Sequence, residues 1–62
     1  MKLVSYELNG AMLIGAEVEG RIIHLNGFLD SNEQLPENMV SFLSLGQPAM
    51  QSAKKSIENY KL

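Results

Sequence analysis

The sequence contains no cysteine, no tryptophan, two prolines and a single histidine. Without thiols no disulfide can staple so short a chain, and no thiolate is available for metal binding or nucleophilic attack. His24 alone cannot build a zinc site, which needs several converging ligands. Long apolar runs are also missing. Met1 and Lys2 lead straight into an alternating pattern, which argues against a signal peptide and against a membrane span. The five basic residues, Lys2, Arg21, Lys54, Lys55 and Lys61, are dispersed in a chain of net charge −2, so no stripe is present to neutralise a nucleic-acid backbone. These absences predict a soluble, cytoplasmic protein with neither nucleic acid nor membrane as a partner.

What is present is a chain of 62 residues that is 45% hydrophobic. A domain of this size buries only about 60% of the surface that its unfolded chain exposes, so the core is thin. With no disulfide to help, the expected source of further burial is a partner surface: a second copy of the chain or more polypeptide.

Lys2 to Leu8 alternate as a strand, with Val4, Tyr6 and Leu8 on one side and Leu3, Ser5 and Glu7 on the other. Asn9-Gly10 supplies the two positive-φ residues of a type I′ turn, and that turn sets Leu8 against Ala11, Tyr6 against Leu13 and Val4 against Gly15. Glu19-Gly20 closes a second hairpin. Glutamate is a poorer first turn residue than asparagine, so a longer loop is an open alternative there. With two-residue turns, one face of the meander collects Leu3, Met12, Ile14, Ala16, Val18, Ile23 and Leu25. The other collects Val4, Tyr6, Leu8, Leu13, Ile22 and His24. Neither face is polar, whereas an antiparallel sheet standing alone usually turns one polar face to water. The pattern therefore predicts a cover on both sides.

Asn26 to Gln34 read as a polar loop anchored by Phe28 and Leu29. Pro36 fits a first helical turn. Met39, Phe42 and Leu43 then follow at helical spacing up to Gly46, which predicts a helix of about ten residues. Pro48 opens a second helix running to about Tyr60, with Met50, Ala53, Ile57 and Tyr60 as its apolar stripe and Gln51, Lys54, Lys55 and Glu58 on its wet side. The expected fold class is α+β: a three-stranded antiparallel β-meander followed by two short α-helices packed on one face, in one small domain spanning residues 1–62. Two short helices cover one face and leave the other for a partner.

Candidates for chemistry are few. His24 is the first choice for acid-base work, but it stands in an apolar strand opposite Gly15 with only Glu17 at a diagonal, which fits a structural or surface role. Asp30, Glu33 and Glu37 form an acidic group. Magnesium needs several oxygens converging from a defined scaffold, and carboxylates beside a helix N-terminus have a simpler use against the helix dipole. Ser5, Ser31, Ser41, Ser44, Ser52 and Ser56 lie in no nucleophile elbow, and the glycines form neither a P-loop nor a dinucleotide fingerprint. Gly15, inside a strand, marks a close backbone approach or a bulge. Met1, Met12, Met39 and Met50 read as core filler. No catalytic, cofactor-binding or metal residue is assigned, and a free-standing enzyme is disfavoured.

The order "MKLVSYELNG", "IGAEVEGRIIHLN", "LPENMVSFLSLG" and then a second helix resembles the N-terminal portion of fumarylacetoacetate hydrolase family proteins. Their chains open on a "MKLV" strand and continue through a "GxxxGxxVxxL" hairpin, close to Gly15 to Leu25 here. An "LPxxMxxLLxxG" helix follows, which Leu35 to Gly46 match with Phe42 and Leu43 at the paired position. His24 stands where many relatives carry aspartate. The resemblance implies an accessory domain without catalytic residues of its own. It places the reaction on oxo-acid substrates, whether hydrolysis, isomerisation or decarboxylation, in a larger β-rich domain that holds magnesium or manganese through two glutamates and an aspartate. In that reading the Val4, Tyr6, Leu13 and Ile22 face meets the catalytic domain or a second subunit. The alternative is a complete small protein that dimerises through this face as an interaction module.

Overall fold

A computed structural model describes residues 2–62. Three strands, β1 (Lys2–Leu8), β2 (Ala11–Val18) and β3 (Arg21–His24), form an antiparallel sheet in the order β1-β2-β3. Both hairpins turn on two residues. Asn9 and Gly10 have φ of 54° and 83°, and Glu19 and Gly20 have φ of 52° and 82°, so each turn carries the paired left-handed residues of type I′. Glu19 takes this conformation in spite of its side chain, and the longer loop allowed for there does not form. The register follows: Tyr6 lies opposite Leu13, Val4 opposite Gly15, Ala16 opposite Ile23 and Gly15 opposite His24.

After His24 the chain leaves the sheet through two 3₁₀ turns, Leu25–Phe28 and Ser31–Glu33. Asn26 organises this crossing by receiving the Leu35 amide at 2.6 Å and donating to the Leu35 carbonyl at 2.8 Å. The Gln34 side-chain amide donates to the carbonyls of Asn26, Leu29 and Asp30.

Two helices follow, α1 (Met39–Ser44) and α2 (Gln47–Lys61). The first is shorter than the spacing predicts, because Pro36 and Glu37 stay outside it. Asn38 is the N-cap, in extended conformation, and its side chain accepts the Ser41 amide at 3.0 Å. Gly46, at φ 71°, both ends α1 and begins α2, a backbone reversal suited to a residue without Cβ.

The core lies between the helices and one sheet face. Ile14, Ala16, Val18, Ile23 and Leu25 pack with Leu35, Phe42, Ala49 and Ala53. Of the expected stripe on α2, Ala53 lies in the core, in line with the small residues Ala49 and Ser56, while Met50, Ile57 and Tyr60 flank them half-buried. Small side chains let α2 approach the first 3₁₀ turn closely enough for the buried Ser56 hydroxyl to donate to the Leu25 carbonyl at 2.6 Å. Phe28 is one-third exposed and meets Tyr60 edge to face, with ring centroids 5.3 Å apart. Of the methionines read as core, Met39 and Met50 pack against it, Met12 is more than half exposed and Met1 lies outside the described residues. Among the described residues no helix is long and apolar enough to cross a membrane.

Candidate functional site

The second face of the sheet carries Val4, Tyr6, Leu8, Leu13, Ile22 and His24, as the alternation predicts. The helices pack on the other side. Leu8 and Ile22 are each more than half exposed, while Val4, Tyr6, Leu13 and His24 are half-buried. Gly15 is the fully buried position here, for a specific reason. A Cβ at Gly15 would fall 2.5 Å from the Ile23 carbonyl oxygen, 2.8 Å from Cε1 of Tyr6 and 3.2 Å from Cγ2 of Ile22. The Tyr6 ring therefore lies across Gly15 beside Ile22. The close approach expected of this glycine is present, and β2 runs through it without a bulge in its register.

A carboxylate from outside the sheet reaches this surface. Glu37, from the segment before α1, places Oε2 2.5 Å from Nε2 of His24 and receives the Ile14 amide on Oε1 at 2.7 Å. The Ile14 amide is free for this because β3 ends one residue early: its pairing with β2 stops at Gly15 and His24, and Leu25 has turned away with its carbonyl taken by Ser56. A buried amide without a partner is costly, and the carboxylate stands in for the missing strand. An ionised carboxylate only accepts, so Nε2 of His24 carries the proton between them.

Burial alone would raise the Glu37 pKa. Hydrogen bonds from His24, from the Ile14 amide and from the side-chain amide of nearby Asn26, together with charge on His24, outweigh it and hold the carboxyl below its ordinary range. Burial raises the Tyr6 phenol, and the negative charge of Glu37 raises it further.

The structure thus assigns His24 a different partner from the diagonal Glu17, and Glu37 a different use from a helix dipole. Glu33 sits elsewhere, against α2, where both its oxygens receive Nζ of Lys55 at 2.9 and 2.7 Å. The bond and the charge of Glu33 raise the Lys55 pKa, but an ion pair this exposed contributes little. Asp30, Glu33 and Glu37 do not converge, and among the described residues no three His, Asp or Glu side chains are grouped to hold a metal ion. No cavity opens beside His24 or elsewhere among those residues. The arrangement combines an apolar surface, an aromatic ring laid over a glycine, and one bridged carboxylate that fastens the segment before α1 to the sheet. No family profile, curated protein or solved structure matches this chain.

Proposed function

We propose that this chain is the non-catalytic N-terminal accessory module of a metal-dependent enzyme of the fumarylacetoacetate hydrolase type. In this reading the catalytic domain of the same polypeptide packs on the Val4, Tyr6, Leu13 and Ile22 face. One observation carries the proposal: the sheet has two apolar faces and the chain's own helices occupy only one of them. A contiguous apolar surface is uncommon on a protein that works alone. The order of elements, a meander closed by Asn9-Gly10 and Glu19-Gly20 followed by the Leu35 to Gly46 segment and a second helix, agrees with the resemblance drawn from the sequence.

The module's share of the work is support, or a dimer contact made through the same face. Magnesium or manganese and the carboxylates that hold it belong to the larger domain, where a hard cation would stabilise an enolate-like charge on an oxo-acid substrate.

Reading the native gene beyond the codon for Leu62 tests this directly. The expected frame runs on into β-rich sequence of ordinary domain size, carrying two closely spaced glutamates and a later aspartate. A stop codon at that point, with no neighbouring frame encoding such a domain, would end the accessory-module reading. The face would then belong to a second copy of the chain.

A further inference from the structure

The Glu37 bridge ties three pieces of chain that are distant in sequence. Its carboxylate reaches 23 residues back to Ile14 on β2 and 13 back to His24 at the end of β3. The residues it fastens, Leu35 to Asn38, lead directly into the cap of α1 and so position Phe42 over the core. We propose that Glu37 is a proton-operated latch: ionised, it clasps the Leu35 to Asn38 segment to the sheet through Ile14 and His24, and protonation releases the segment and frees the β2 edge while the strands stay paired.

The chemistry follows from the acceptor count. An ionised carboxylate has lone pairs for both donors, whereas a protonated one must place a hydrogen on one oxygen and loses its charge-assisted bonds. Acid therefore opens the latch through the carboxyl. Other charged groups on this face are peripheral. Tyr6 of β1 stays neutral in the acid range, Glu17 of β2 and Lys2 of β1 lie opposite one another in exposed positions, and α1 contains no titratable side chain. The side chains of α2 pack on the opposite face, where its Lys55 is paired with Glu33.

Because the folded pKa of Glu37 lies below its unfolded value, its stabilisation is complete above the unfolded value. That stabilisation disappears as pH falls through the folded one. The pH window of the latch is therefore the acid side of the ordinary carboxylate range, about 4.3 for glutamate.

Amide exchange and carboxyl chemical shifts of the full chain, followed by NMR, test the latch. Ala16, paired with Leu3 on one side and Ile23 on the other, serves as the internal reference. Exchange at Ile14 relative to Ala16 should rise about tenfold or more as pH falls through the Glu37 titration. In Glu37→Gln the ratio should be flat with pH, and in Glu37→Ala it should be high throughout. His24→Gln should move the Glu37 midpoint upward, with the Ile14 response following it. A wild-type ratio that ignores the Glu37 titration would overturn the proposal, as would Ala16 opening at the same pH as Ile14.

Discussion

Replacing Phe42 with alanine should leave a substantial share of the chain unfolded at 25 °C. Phe42 is the largest fully buried side chain and sits at the junction of α1 with the sheet-facing core. Truncating a buried phenylalanine costs about 3–5 kcal/mol, the lost transfer energy plus the cavity left behind. A domain of 62 residues has roughly 3–9 kcal/mol of total stability at the usual per-residue range. No disulfide limits the loss, and α1 at six residues cannot persist without its buried anchor. Urea denaturation followed by circular dichroism should show the midpoint collapsing toward zero denaturant. A midpoint within experimental error of wild type would mean that Phe42 does not anchor the helices. Leu43 offers the control: it is more than half exposed, so Leu43→Ala should change stability by less than about 0.5 kcal/mol.

Gly15→Ala is the second large effect, and it arises from addition instead of removal. The new methyl group would stand 2.5 Å from a backbone carbonyl that cannot swing aside, and 2.8 Å from the Tyr6 ring, which can. Overpacking of this kind costs about 1–3 kcal/mol. The Tyr6 ring must lift off β2, so the near-ultraviolet tyrosine signal should change together with the denaturation midpoint. Unaltered stability with an unaltered Tyr6 environment would show that β2 and β3 are not held as closely as described.

Much of the fold is legible because its causes are local. Asn9-Gly10 specifies its own left-handed backbone, Gly20 favours one at the second turn although Glu19 does not, and each turn sets the register of the strands beside it. Alternation then distributes Ile14, Ala16, Val18 and Ile23 to one face and Tyr6, Leu13 and Ile22 to the other. The start of α1 is less legible. Pro36 suits a first helical turn as well as an extended approach, and only the Asn38 side chain on the Ser41 amide decides between them. A serine or asparagine cap is a usable sequence signal, and Asn38 carried it. Ala53 belongs to the stripe that helical spacing predicts, but Ala49 and Ser56 do not stand out beside the larger Met50, Ile57 and Tyr60, because hydrophobicity marks what is apolar and not where two elements come closest. The Glu37 bridge had no signal in the sequence. It exists because β3 ends at His24, strands an amide on β2, and a carboxylate far along the chain happens to reach it.

In the function proposed above, the Val4, Tyr6, Leu13 and Ile22 surface is a contact face for protein. Sedimentation equilibrium of the 62-residue chain, alone and with Tyr6→Lys or Leu13→Lys, tests it most directly. With no other protein present to cover the surface, the wild-type chain should self-associate in a concentration-dependent way. Each lysine variant should keep its circular dichroism spectrum and shift toward monomer, because an ammonium group on that surface opposes burial. A wild-type chain that remains monomeric at high concentration, with its fold intact and its behaviour unchanged by either substitution, would contradict the claim.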